Sequence, residues 1–234
     1  MIKIKFKDFI AIAHENVDKS RLTMRVYRFI SKYISYVFVH LRITPNQVTV
    51  AHSILEFFGL LILSTGNYDR YYIAFILLVL GGILDNVDGE IARYTKNFSI
   101  PGYYLDFIFH RIIHPFFFLL LSIGIYKNTS SLLIIYLGMI SGVAYTISEI
   151  STNVYKHLLF DKGIKIDEKN NDNKKSIINW WNYTFFCFDH MKIGLLVFTF
   201  IGQLEYLIYL YTPLLFLRAV FSVIINYNRL KNIV

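Results

Sequence analysis

Long apolar runs separated by short polar turns dominate the chain after residue 43. Stretches such as Tyr71–Leu84 and Phe116–Tyr126 form parts of segments that reach or approach the roughly 20 residues a helix needs to cross a bilayer. The pattern therefore predicts an all-α, polytopic membrane protein. We place six transmembrane helices at about residues 46–64, 71–94, 103–126, 132–158, 191–202 with its flanks, and 206–227.

The first 43 residues follow a different pattern. Residues 1–20 alternate basic and apolar positions, which suits a strip lying on an anionic membrane surface. In residues 21–41, spacings of three and four separate a basic face from an apolar face, which indicates an interfacial amphipathic helix. A short tilted span is the alternative for that segment. We therefore divide the chain into an N-terminal cytoplasmic or interfacial segment, 1–43, and a six-helix transmembrane domain, 44–234.

Composition and charge add an orientation. The chain is 55% hydrophobic and 18% aromatic and carries a formal charge of +8. Its Lys and Arg residues concentrate at the N-terminus and in alternate loops, and such loops mark the cytoplasmic side, so both termini are predicted to lie inside. Nothing in the sequence resembles a nucleic-acid-binding module. A single cysteine, Cys187, excludes an internal disulfide and a cysteine metal cluster. The charged N-terminus does not fit a cleavable signal peptide.

Two stripes of chemically useful residues occur on consecutive predicted helices. The first stripe comprises Asp85, Asp88, Gly89, Ala92 and Arg93. The second comprises Asp106 and His110, one turn apart on the next helix. Residues three and four apart share a helix face, and a short loop makes the two helices antiparallel neighbours. Three carboxylates and an imidazole are therefore expected to converge near the cytoplasmic end of the bundle.

Carboxylates within a membrane span imply a ligand or a partner. Each costs about 2.5–3.5 kcal/mol on insertion scales, so it persists only when paired, hydrated or bound to metal. Three acidic groups beside one arginine leave a negative site, which suits hard divalent ions such as Mg²⁺ or Mn²⁺. The small residues Gly89 and Ala92 leave room on the same face for a flat base or a diphosphate.

The two stripes together resemble the signature of the CDP-alcohol phosphotransferase (CDP-alcohol phosphatidyltransferase) family. Seven positions of the signature match, namely Asp85, Asp88, Gly89, Ala92, Arg93, Gly102 and Asp106. The resemblance implies a homodimeric six-helix protein that transfers a phosphate-linked group from a CDP-activated donor to an acceptor hydroxyl and releases CMP. It also implies two divalent ions, Mg²⁺ or Mn²⁺, on the carboxylates, and donor binding at Gly89, Ala92, Arg93 and Gly102.

The chain departs from the family at the last motif position, where His110 replaces an aspartate. In the family that aspartate is the proposed general base and a ligand of the second metal ion. Histidine can fill both roles, because its ordinary pKa near 6.5 suits proton abstraction and its neutral ring binds metals. The second ion could nevertheless bind more weakly, be a different metal or be absent. His114, one turn further on, could assist. The alternative is that His110 is a bystander in an inactive relative.

The sequence leaves the substrates open. The donor could be a CDP-lipid or a soluble CDP-alcohol, and the acceptor a lipid, a small molecule or a glycan, which fits phospholipid biosynthesis at the cytoplasmic face of the cell (inner) membrane. The competing class is a non-catalytic carrier or a CDP- and metal-binding scaffold. His52 and Glu56 either line the cavity or hydrogen-bond one another. Arg218 either grips an anionic head group or extends to the membrane interface.

Overall fold

A computed structural model describes residues 5–15, 22–162 and 188–231 of the 234-residue chain. Within these ranges the regular structure is helical, which confirms the all-α prediction. The helices are α1 (Phe6–Ala13), α2 (Leu22–His40), α3 (Pro45–Ser64), α4 (Tyr71–Thr95), α5 (Ile100–Thr129), α6 (Leu132–Asp161), α7 (Phe188–Ile201) and α8 (Glu205–Lys231). A 3₁₀ turn, Tyr68–Arg70, precedes α4.

Five of these helices are long and apolar enough to cross a membrane: α3, α4 together with its 3₁₀ turn, α5, α6 and α8. They expose much apolar surface, as at Phe216 and Phe221, which suits contact with lipid. The chain is therefore an integral membrane protein. The predicted fifth span coincides with α7, which has 14 residues, and its N-terminal flank lies outside the described residues. The count of six spans stays a prediction.

The α-carbons form two compact units, Met1–Ile62 with Asp69–Ile113, and Leu63–Tyr68 with His114–Val234. In the first unit, α2 packs along α4, and α1 packs against both. Phe9 and Ala13 of α1 are fully buried, so part of the N-terminal strip binds protein rather than lying only on a membrane surface. The predicted domain boundary at residue 43 is not tested by this division.

Helix α2 buries polar side chains and exposes apolar ones. Its buried face carries the hydroxyls of Ser31 and Ser35, whereas Phe29 and Val37 are exposed. Apolar groups on the outer face suit contact with lipid. Helix α2 is not among the helices apolar enough to span a membrane, and its interfacial position stays a prediction.

In the second unit, α6 packs along α8, and α7 contacts α8. Helix α6 forms a hairpin with the C-terminal half of α5, and the two backbones approach each other very closely. A Cβ on Gly142 would lie 2.9 Å from the carbonyl oxygen of Pro115, and a Cβ on Gly138 would overlap Ser122 Oγ. The turn between the two helices contains Ser130 at a φ of 54°. Small residues on one helix face are typical of tightly packed membrane helices.

Candidate active site

The start of α3 is fixed by a reciprocal cap. The backbone amide of Thr44 donates to Gln47 Oε1 at 2.9 Å, and the Gln47 amide donates to Thr44 Oγ1 at 3.4 Å. Pro45 takes the first helical position, where its missing N–H costs nothing. These contacts fix the residue at which α3 begins.

One face of α3 carries polar side chains toward α4. Thr49 Oγ1 donates a 2.7 Å hydrogen bond to Asp88 Oδ2. His52, one turn further along, is 1% exposed, and its Nε2 lies 3.5 Å from the same carboxylate oxygen. Glu56 packs so closely on Gly81 that a Cβ there would overlap its side chain. Neither ring nitrogen of His52 makes a hydrogen bond in the described part of the chain, so the alternative of a His52–Glu56 hydrogen bond is wrong.

The predicted acidic cluster forms at the point where α3, α4 and α5 meet. His110 stands between two of its carboxylates: Nε2 lies 3.5 Å from Asp85 Oδ1, and Nδ1 lies 3.1 Å from Asp106 Oδ1. The Nδ1 atom also hydrogen-bonds the backbone carbonyl of Asp106 at 3.0 Å. Asp85, Asp106 and His110 are partly exposed, at 34, 40 and 31% of their side chains, which leaves the cluster open to a ligand.

The donor atoms of the cluster fit divalent ions. Two sets of three side chains bring one ligand atom each to within 4.8 Å of one another: Asp85, Asp106 and His110, and His52, Asp88 and Asp106. Asp106 belongs to both sets. Its Oδ1 atom is buried and makes no hydrogen bond within the residues described. Such an oxygen is costly in isolation. Carboxylate oxygens supplemented by imidazole nitrogen suit Mg²⁺, Mn²⁺ and related ions.

Gly102 lies at the start of α5 and is explained by packing. The helix begins three residues earlier than predicted, because Pro101 is tolerated in a first turn and Ser99 Oγ accepts from the Gly102 amide at 3.0 Å. A Cβ on Gly102 would overlap Asn46 Oδ1 at the start of α3 and would lie 2.7 Å from Ser99 Oγ. The missing side chain therefore brings α5 against α3.

The remaining motif residues extend along α4 from the acidic cluster. Gly89 and Ala92 are partly buried, and the Arg93 guanidinium lies beside Gly89, where a Cβ would be 3.1 Å from one of its terminal nitrogens. Arg93 Nε donates to the carbonyl oxygen of Ala13 at 2.7 Å. Ala13 ends α1, where carbonyls lack helical partners. Arg93 thus secures the N-terminal segment, a role that its place in the motif did not predict.

The sequence reasoning also missed Glu90. This carboxylate is fully buried and accepts hydrogen bonds from Ser31 Oγ at 2.5 Å and Ser35 Oγ at 2.6 Å. His14 Nε2 lies 2.9 Å from the same side chain. The network joins α1, α2 and α4 directly behind the motif face. One signal was available: Ser31 and Ser35 are four residues apart on an otherwise basic and apolar helix.

Two other residues considered from sequence lie in the second unit. His114 Nδ1 hydrogen-bonds Tyr145 Oη at 2.9 Å, and its ring stacks near Phe188. Arg218 forms a 2.9 Å ion pair with Glu149. These contacts give both residues a structural explanation within their own unit.

Comparison with known proteins supports the resemblance. A family model described as CDP-alcohol phosphatidyltransferase matches residues 42–172, which include the whole acidic cluster. An "uncharacterized protein" of Aquifex aeolicus is 31% identical over 112 residues, covering 44% of this chain and 54% of that protein.

Two further relatives carry the name "Bifunctional IPC transferase and DIPP synthase". The protein of Archaeoglobus fulgidus is 31% identical over 110 residues, 47% of this chain, and that of Thermococcus kodakarensis is 36% identical over 95 residues, 41% of this chain. The matched region is 21% of the length of each of these longer proteins. The chain therefore spans about half or less of the length of the curated relatives that it matches. With more than half of its length matched by the family model, the chain belongs to the CDP-alcohol phosphatidyltransferase family.

Proposed function

We propose that the protein is a membrane-embedded, metal-dependent transferase that moves a phosphate-linked group from a CDP-activated donor to an acceptor hydroxyl and releases CMP. Family membership supports the transferase class. One observation carries the finer proposal: Asp85 and Asp88 of α4 lie close to Asp106 and His110 of α5, and these residues contribute to two sets of three possible metal ligands that share Asp106.

In this proposal Asp85, Asp88 and Asp106 hold Mg²⁺ or Mn²⁺, two ions when the donor is bound. Such ions, when bound, neutralise the donor diphosphate and the charge that develops on the leaving CMP. The protein itself fixes the carboxylates: Thr49 orients Asp88 through a 2.7 Å hydrogen bond. Partners of this kind set ligand orientation in metal sites.

His110 acts as the general base. Its Nδ1 donates to the Asp106 backbone carbonyl, so Nε2 is the ring nitrogen that we assign to proton transfer. The Nε2 atom accepts the proton of the acceptor hydroxyl as that oxygen bonds to the phosphorus bearing the transferred alcohol. The bond from this phosphorus to the bridging oxygen then breaks, and the bridging oxygen leaves with CMP.

The donor lies along α4. Gly89 and Ala92 leave a low surface there, and the guanidinium of Arg93 beside Gly89 adds a positive charge. Gly102 contributes indirectly, by letting α5 approach α3. We further propose that the acceptor is a lipid, a small molecule or a glycan and that the product enters phospholipid biosynthesis. In this proposal the active site faces the cytoplasm in the cell (inner) membrane, and the enzyme is a homodimer.

The direct test is CMP release by the purified protein in nanodiscs. CDP-diacylglycerol and a soluble CDP-alcohol would be supplied in turn, with Mg²⁺ or Mn²⁺ and with candidate acceptors. We expect release with one donor class, loss of release with EDTA, and background rates for Asp88→Asn. Asp161→Asn is the matched control, because Asp161 is 55% exposed at the end of α6 and should retain activity.

The alternatives have distinct outcomes in the same preparation. Metal-dependent CDP binding without turnover in any donor and acceptor combination would support a scaffold, and substrate flux into proteoliposomes without CMP release would support a carrier. Either result would refute the transferase proposal.

A further inference from the structure

His52 is the most unusual polar side chain of the first unit. It lies within α3, is 1% exposed, and has no hydrogen bond at either ring nitrogen among the residues described. Buried polar groups in proteins nearly always have a partner, and exceptions call for an explanation such as an ion. The ring is also not simply packed in apolar surroundings, because the acidic cluster lies directly beside it.

The position of the ring fits metal coordination. His52 Nε2 lies 3.5 Å from Asp88 Oδ2, which is longer than a good N–H···O hydrogen bond. Two ligand atoms each about 2.1 Å from one ion lie about 3.0 Å apart when adjacent and about 4.2 Å apart when opposite. The separation falls within that range, and Asp106 completes a set of three ligand atoms within 4.8 Å.

His110 is less suited to supply the nitrogen ligand. Its Nδ1 is engaged by the Asp106 carbonyl, and its Nε2 has the role of base in the proposed function. Within the described ranges, both nitrogens of His52, by contrast, lack hydrogen bonds. Because His110 replaces the last motif aspartate, the second ion loses one carboxylate ligand, and His52 lies where a replacement ligand could come from.

We infer that His52 is a metal ligand, which with Asp88 and Asp106 forms a mixed nitrogen and oxygen site for a transition-metal ion. Imidazole favours Mn²⁺ and later transition metals over Mg²⁺, which prefers oxygen. The site therefore binds Mn²⁺ more tightly than Mg²⁺. This inference deepens the proposed function and rests on it only for the role of His110.

The test is Mn²⁺ binding to the full chain in nanodiscs, with any polyhistidine tag removed and with MnCl₂ as the only added ligand. Pulsed EPR reports ¹⁴N coupling from a coordinated imidazole, and titration of the free-ion EPR signal reports affinity. We expect wild-type protein to show ¹⁴N coupling, and His52→Ala and His52→Gln to lose it. Affinity for Mn²⁺ should fall about tenfold or more, since even the partners of metal ligands are worth 10–100-fold.

Two variants make the result specific. His110→Ala should retain the ¹⁴N coupling, and His157→Ala, at a side chain 75% exposed on α6, should match wild type throughout. Coupling that survives in both His52 variants, or that disappears in His110→Ala alone, would overturn the assignment. His52→Gln keeps a polar side chain of similar length, so a folding defect confined to His52→Ala would not obscure the outcome.

The measurement also separates this inference from the proposed function. Mn²⁺ binding requires no CDP donor, so a protein that never releases CMP but loses ¹⁴N coupling on His52 replacement refutes only the catalytic proposal. A protein that releases CMP at full rate while its Mn²⁺ site ignores His52 refutes only the ligand assignment.

Discussion

Replacing Glu90 tests whether the N-terminal segment is held in place from behind the motif. Glu90→Ala removes a fully buried carboxylate that accepts bonds from Ser31 and Ser35 and pairs with His14. Hydrogen bonds to a charged group contribute about 1.5–3 kcal/mol each, so losing those from Ser31 and Ser35 costs about 3 kcal/mol or more. We expect that loss to appear as weaker docking of α1 and α2 on α4.

Hydrogen exchange measures this docking directly. At about 1.4 kcal/mol per tenfold change, a loss of 3 kcal/mol accelerates exchange in α1 and α2 about 100-fold, provided that exchange follows local opening. Amides of α8, in the second unit, serve as the internal reference. Glu90→Gln is the matched variant, because the amide keeps the shape of the carboxylate. Its NH₂ group can donate to Ser35 Oγ, and the Ser35 hydroxyl in turn donates to the Ser31 backbone carbonyl. Unchanged exchange of α1 and α2 in Glu90→Ala would refute the reasoning.

Three further predictions concern other positions. His110→Asp adds an oxygen ligand and should bring the Mg²⁺-supported rate of CMP release closer to the Mn²⁺-supported rate; an unchanged ratio would contradict the idea that the missing carboxylate weakens Mg²⁺ binding. Gly102→Ala should lower stability by about 1–3 kcal/mol through overpacking against Asn46, seen as a lower thermal midpoint in detergent, and Asn46→Ala in the same chain should recover part of the loss. Gly142→Val should likewise lower the midpoint, and by more than Gly142→Ala, because its side chain meets the Pro115 carbonyl.

Local patterns predicted much of the fold. The predicted spans at residues 46–64 and 132–158 differ from α3 and α6 by at most a few residues at each end, because apolar length and the Thr44 cap are encoded in adjacent positions. The predicted third span begins at residue 103, whereas α5 begins at Ile100, because a proline such as Pro101 fits the first turn of a helix.

Spacing also predicted the acidic cluster, since Asp85, Asp88, Asp106 and His110 lie on two neighbouring helices joined by a short loop. The same reasoning could not find Thr49 or His52 as neighbours of Asp88. Those contacts join residues 36 to 39 positions apart, and they depend on which face of α3 turns toward α4. No helical periodicity specifies that rotation.

Glu90 and Arg93 show a second limit of pattern reasoning. Glu90 falls between two motif residues but points to the opposite side of α4, toward hydroxyls on α2. Arg93 belongs to the motif, yet its Nε reaches the last residue of α1. Both contacts are tertiary, so they depend on how the N-terminal helices pack and not on the spacing of the motif itself.

The glycine face of α6 has a consequence for how the protein is made. Water drives no association between helices already within lipid, so a pair must rely on intimate van der Waals fit. Gly138 and Gly142 give α6 that fit against the second half of α5, and the intervening turn is only two residues long, 130–131. We expect the second half of α5 and α6 to pair with each other during membrane insertion, before the later helices have been translated.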